Sequence, residues 1–221
     1  MKSGTPPQPR GQHVALRTAG GRSPASQRWL ARQLNDPYVR AARQQGWRSR
    51  AAFKLIEMDD RYRLIRRGAR VLDLGAAPGG WAQVALRRGA ARVVGIDLLA
   101  IEPLPGAEFV QGDLAAPATR ALLRTLLGGP ADLVLSDIAP NTTGHAATDH
   151  IRIVALAELA LEVALEVLAP GGAFVAKVFQ GGAERQLLEP LKRRFARVVH
   201  AKPPASRAAS SELYVVATGF R

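Results

Sequence analysis

The stretch Ala69-Arg70-Val71-Leu72-Asp73-Leu74-Gly75-Ala76-Ala77-Pro78-Gly79-Gly80-Trp81 decides how the chain is read. Val71, Leu72 and Leu74 form a short apolar run that stops at Gly75, and a helical spacing of Trp81, Val84, Ala85 and Leu86 begins soon after. The pattern predicts a strand, a glycine turn and a helix. Gly75 permits a tight turn. Gly79 and Gly80, lacking Cβ atoms, let a ligand lie against backbone N–H groups at the helix start. An ordinary βα turn would look similar, because glycine spacing alone is weakly diagnostic. About twenty residues on, a second apolar run, Val93-Val94-Gly95-Ile96, ends in Asp97, whose carboxylate can accept both hydroxyls of an adenosine ribose.

Two nucleoside cofactors suit this layout, a nicotinamide dinucleotide and S-adenosylmethionine. The dinucleotide fingerprint is G-x-G-x-x-G, whereas here three residues separate Gly75 from Gly79. Asp73, at the strand end, is expected to repel a pyrophosphate and to tolerate a cationic methionine moiety. S-adenosylmethionine is therefore the expected cofactor.

Composition narrows the function classes. The chain of 221 residues, 47% hydrophobic, suits one α/β domain with extensions. It has no cysteine, which excludes disulfides and thiolate chemistry, and its four histidines lack ligand spacing, so no metal site is expected. No apolar run reaches the roughly 20 residues of a membrane span. A soluble, cytoplasmic monomer is expected. Of the net charge of +13, residues 1–70 carry +12, residues 71–191 carry −5 and residues 192–221 carry +6. Basic ends around a mildly acidic middle point to a polyanionic partner, beyond the general arginine bias of the chain.

Residues 1–25 read as a disordered basic tail that contacts RNA, and residues 26–221 as the folded domain. Prolines and glycines in the tail break any transit-peptide helix. A helix is expected from Ser26, another from Asp36-Pro37, and a third capped by Ser49 and carrying Lys54. Further strands are expected at Glu108–Gln111, Leu133–Ser136 and Ala173–Phe179. Between them lie helices at Pro117–Leu127, Asp149–Leu168 with Asp149 as cap, and about 183–194. Two closing strands lie near Val198 and at Leu213–Ala217. Strands alternating with helices, then two strands in succession, imply an α/β, Rossmann-like fold: a mostly parallel seven-stranded sheet with one antiparallel strand and helices on both faces.

Ligands of such sheets gather at the carboxyl ends of the strands, where Asp97, Asp113 and Asp137 all fall. Asp113 is suited to the adenine amino group. Lys177 lies inside an apolar strand, where an unpaired ammonium would cost several kcal/mol, so it needs partners. Glu212, the one acid after residue 191, and Asp137 are the candidates.

Several segments taken together resemble the FtsJ family of ribosomal RNA 2′-O-methyltransferases. They are Arg48-Ser-Arg-Ala-Ala-Phe-Lys54, Asp73 to Trp81, Gln111-Gly-Asp113, Ser136-Asp-Ile-Ala-Pro-Asn141, Ala176 to Gly181 and Ser210 to Gly219. The resemblance covers about residues 26–221 and implies a class I methyltransferase acting on a uridine of large-subunit ribosomal RNA, on the assembled subunit. By it, Lys54, Asp137, Lys177 and Glu212 match the family's catalytic set, and Gly79, Trp81, Asp97, Asp113 and Asp137 its cofactor contacts. The chemistry suits those residues: a ribose hydroxyl needs a base as it attacks, and a lysine serves only when neutral. Lys54 would lower the pKa of Lys177, whereas Asp137 and Glu212 would raise it. The rivals are a nicotinamide oxidoreductase, disfavoured by glycine spacing, and a non-catalytic RNA binder, which needs no such lysine–carboxylate set.

Overall fold

The computed structural model describes residues 23–139, 146–179, 184–208 and 210–221. Residues 1–22 of the expected tail therefore lie outside the described residues, while its last residues, 23–25, cap and begin the first helix. Three helices come first: α1 (Pro24–Asn35), α2 (Pro37–Gln44) and α3 (Ala51–Tyr62). The first two helices start with a cap and a proline, Ser23-Pro24 and Asp36-Pro37; the side chains of Ser23 and Asp36 accept from Ser26 N and Tyr38 N. The first helix thus begins two residues before the expected Ser26. Ser49 does not cap α3. Arg50 holds that position with no side-chain cap bond, while the Ser49 hydroxyl is buried against Gly80.

The alternating part follows as β1 (Arg70–Leu74), α4 (Gly80–Arg87), β2 (Arg92–Asp97), β3 (Ala107–Gln111), α5 (Pro117–Leu127), β4 (Ala131–Ser136) and α6 (Ala146–Val167). Then come β5 (Leu168–Phe179), α7 (Glu184–Arg194), β6 (Phe195–Ala201) and β7 (Glu212–Phe220). The sheet order is β3-β2-β1-β4-β5-β7-β6, and β7 runs antiparallel to both of its neighbours. Two boundaries differ from the sequence reading. Asp149 lies inside α6, which starts at Ala146, and β5 begins at Leu168, its pairing with β4 shifting register between Ala131 and Leu133. Pro170-Gly171-Gly172 is thereby spanned by the strand.

Strand alternation distributes the core to the two faces of the sheet. Leu72, Leu74, Val94, Ile96, Phe174 and Val178 pack with α5, α6 and α7. Val71, Val93, Leu133, Val175, Tyr214 and Val216 pack with α3 and α4. Side chains such as Leu55, Leu72 and Phe174, fully buried, each contribute about 1.5–3 kcal/mol of burial free energy. By the same alternation Lys177 follows Ala173 and Val175 onto the α3 face, and Glu212 shares that face with Tyr214 and Val216. No described helix is long and apolar enough to cross a membrane.

Candidate active site

The parallel strands β1 to β4 end on one side, and the residues that finish or follow them meet there. Gly75, Asp97, Asp113 and Asp137 line a cavity of about 330 Å³ together with Leu99 and Leu156. That volume lies within the usual range of small-molecule sites. Gly75 is required twice over: its φ is 75°, and a Cβ there would stand 2.6 Å from Ile138 Cγ1. Two amides fix the Asp97 carboxylate, Ala77 N on Oδ2 at 2.9 Å and Leu99 N on Oδ1 at 3.0 Å. Each oxygen retains acceptor capacity for a ribose hydroxyl. Asp113 Oδ1 accepts from Ala115 N at 2.9 Å. Leu98 and Leu99, both largely exposed, offer apolar cover at the cavity wall.

Gly79, Gly80 and Trp81 start α4 but do not line this cavity. The small size of Gly79 and Gly80 serves a protein contact. A Cβ on Gly79 would lie 2.8 Å from Arg48 Nη1, and one on Gly80 would lie 2.6 Å from Ser49 Oγ. Arg48 spends its guanidinium on three carbonyls, donating from Nη1 to Pro78 O at 3.1 Å and Glu102 O at 2.6 Å, and from Nη2 to Pro103 O at 2.6 Å. This strap joins the glycine turn to the loop between β2 and β3, a role not apparent from the sequence. Trp81 is buried, donates its indole N–H to Ala51 O at 2.7 Å and packs against Tyr214. It ties α4 to the first turn of α3, the helix that carries Lys54.

Asp73 behaves differently from the sequence expectation. It is 1% exposed, and neither carboxylate oxygen has a protein hydrogen-bond partner. Burial, then the charge of Asp137, push its pKa up to about 8, with only the nearby Ala82 amide acting the other way among the leading influences. At neutral pH this carboxyl holds its proton, so charge repulsion is not what it would offer a pyrophosphate.

Next to the cavity, Lys54, Asp137, Lys177 and Glu212 converge. Lys177 Nζ donates to Asp137 Oδ1 at 2.7 Å and to the Asp137 carbonyl at 2.8 Å, with Glu212 Oε2 at 3.8 Å. Lys54 Nζ pairs with Glu212 Oε1 at 2.8 Å and lies 3.9 Å from Asp137 Oδ1. Lys54 Nζ also donates to the Tyr214 hydroxyl at 3.0 Å, and that hydroxyl donates to Asp137 Oδ1 at 2.6 Å. Burial alone would raise the Asp137 pKa, but Lys177, and after it Lys54, hold it below the ordinary carboxylate value. Burial, reinforced by Asp137 and Glu212, holds Tyr214 well above the ordinary phenol value, so it stays a donor. Tyr214 went unselected in the sequence because a tyrosine in a strand reads as core. Its signal was the spacing Glu212-x-Tyr214, which puts both on one face.

The loop between β6 and β7 completes the cluster. Ser206 Oγ donates to Glu212 Oε1 at 2.8 Å, and the loop is held by Ala205 N donating to Glu57 Oε2 at 2.7 Å and by Arg50 donating to Ala205 O. Asp36 receives both Arg50 and Arg207, at 3.1 and 3.3 Å. The first helices thus brace the loop that positions Glu212.

A seven-stranded sheet of this order, with a nucleoside-sized cavity at the ends of β1 to β4, is the architecture of Rossmann-like methyltransferases. Residues 47–220 match the model of the FtsJ-like methyltransferase family, and the chain belongs to that family. It is 69% identical to the ribosomal RNA large subunit methyltransferase E of Granulibacter bethesdensis, over all of this chain and 96% of the relative. It is 64% identical to the protein of the same name from Gluconobacter oxydans, over all of this chain and 82% of the relative. Among solved structures, a protein from Plasmodium falciparum named as a ribosomal RNA methyltransferase superposes with a TM-score of 0.69 at 31% identity. The match covers 79% of this chain and 98% of that one.

Proposed function

We propose that this protein methylates the ribose 2′-hydroxyl of a uridine in large-subunit ribosomal RNA, using S-adenosylmethionine, with Lys177 as the general base. The observation that carries the reading is that Asp137 belongs to two structures at once. It lines the cavity and it anchors Lys177 at 2.7 Å, so the proton acceptor stands at the edge of the cofactor site. The large-subunit RNA substrate follows the names of the relatives.

The residues present fit the cofactor. The Asp97 carboxylate, fixed by two amides, offers acceptors for a ribose, Asp113 for an adenine amino group, and Leu99 and Leu156 an apolar wall. When bound, S-adenosylmethionine supplies an electrophilic methyl group on a sulfonium. The chain's own residues handle the proton and the position. Lys177 Nζ, in its neutral form, takes the proton of the 2′-hydroxyl as that oxygen becomes nucleophilic. Asp137 and Glu212, held as an acceptor array by Lys54, Tyr214 and Ser206, keep the amine in place and stabilise the ammonium that results.

Methyl transfer from labelled cofactor to undermethylated large-subunit particles, followed by mapping of 2′-O-methyl positions, tests the proposal. Label appearing on a base, or on no RNA, would refute it.

A further inference from the structure

We propose that a groove between the end of α3 and the edge strand β6 is a second RNA contact, gripping a single-stranded segment by its phosphates away from the reacting ribose. The proposal rests on the RNA substrate argued above. Arg61, Tyr62, Arg197, Val199, Val216 and Thr218 line this groove of about 410 Å³, with the neighbouring His200, and no carboxylate is among the lining residues. Arg61 and Arg197 are exposed. Arg61 lies over the Tyr62 ring, 5.2 Å from its centroid, and neither arginine has a carboxylate partner among the described residues.

Several arginines elsewhere are committed instead. Arg66, Arg88, Arg92, Arg120 and Arg124 all hold carboxylates, and Arg48 is consumed by carbonyls. The groove keeps its guanidiniums uncommitted, which is what a phosphate contact requires. Arg197 pairs across the strands with Thr218, so a guanidinium and a hydroxyl stand side by side, and Tyr62 adds a half-buried aromatic ring next to them. Cations beside an aromatic platform are the pattern that holds unpaired RNA.

Placement relates the groove to the catalytic cluster. Tyr214, Val216 and Thr218 alternate onto one face of β7, so the groove continues the face that carries Tyr214, about 13 Å further along the strand at ~3.3 Å per residue. The same helix spans both sites: Lys54 lies near the start of α3, and Arg61 and Tyr62 end it. Phe195 pairs with Phe220, and Arg221 N donates to Arg194 O at 2.9 Å, so the basic C-terminal segment runs beside the groove.

The test is binding of the full-length protein to large-subunit particles over a salt series, with methyl transfer measured in parallel. The variants are Arg61→Glu with Arg197→Glu, the same pair changed to Gln, and Arg124→Glu as a charge-reversed control on the opposite face. Loss of two phosphate contacts should lower the slope of log affinity against log salt by about 1.4 in the Gln pair, roughly 0.7 per contact to single strands. Binding at low salt should weaken tenfold or more, KM for particles should rise with it, and kcat and cofactor affinity should stay within about twofold. Affinity and slope equal to those of the Arg124→Glu control would overturn the groove. Absence of methyl transfer by the wild type would instead refute the proposed reaction, since the groove is judged by binding alone.

Discussion

The Tyr214 hydroxyl donates a 2.6 Å hydrogen bond to Asp137 Oδ1, the oxygen that also receives Lys177 Nζ at 2.7 Å. Removing the hydroxyl leaves Asp137 short of one donor and Lys54 short of one acceptor. A hydrogen bond to a charged group contributes about 1.5–3 kcal/mol, so Tyr214→Phe should lower turnover roughly 10- to 100-fold. Cofactor affinity, measured calorimetrically, should change little. Wild-type turnover in the variant would reduce Tyr214 to core packing.

Asp97 is held by two backbone amides before any ligand arrives. Asp97→Ala should weaken S-adenosylmethionine binding by about 1–3 kcal/mol, the loss of charged acceptors. Titration of the isolated protein without RNA measures this directly, and an unchanged dissociation constant would remove Asp97 from the site.

Asp73 makes a prediction about stability and pH. Its pKa is raised from 3.8 to about 8, so between these values the unfolded chain binds fewer protons at this position than the folded protein does. Asp73 therefore subtracts stability as pH rises through that window, by at most about 1.4 kcal/mol per pH unit. Asp73→Asn removes the slope. Thermal melts at pH 5 to 8 should show the variant gaining on the wild type as pH increases. Parallel curves would show that the buried carboxyl does not hold its proton.

Arg48 holds the glycine turn from outside the cavity. Arg48→Ala should weaken cofactor binding about tenfold, or ~1.4 kcal/mol, and lower the melting temperature. Arg48→Lys should recover only part of either, because one ammonium cannot serve three carbonyls in the guanidinium's geometry. An Arg48→Ala protein with full cofactor affinity would make the strap irrelevant to the site.

The sheet was legible because its strands are short, largely apolar runs ended by glycine or aspartate: Val71 to Leu74, Val93 to Ile96 and Leu133 to Ser136 stop at Gly75, Asp97 and Asp137, each of which lines the cavity. The meeting of Lys54 and Glu212, 158 positions apart, was reached through family resemblance rather than spacing. Local rules failed where a tertiary contact took over a residue. Ser49 looked like a cap but packs on Gly80, and the Gly79 and Gly80 positions make room for Arg48 and Ser49. Asp73 was assigned a charge that its burial removes. Tyr214 carries one local signal, its i, i+2 spacing from Glu212, which places it on the catalytic face without telling a hydroxyl in a network from an aromatic in a core.

Lys177 carries the central claim, and replacing it with arginine separates its two possible contributions. Lys177→Arg keeps a long cation but removes any neutral base, whereas Lys177→Ala removes both. If the amine takes the 2′-hydroxyl proton, both variants should lose on the order of 10²–10⁴ in single-turnover methyl transfer to large-subunit particles while still binding S-adenosylmethionine. A Lys177→Arg enzyme that transfers methyl groups at close to the wild-type rate would contradict the account and leave Lys177 a purely electrostatic role.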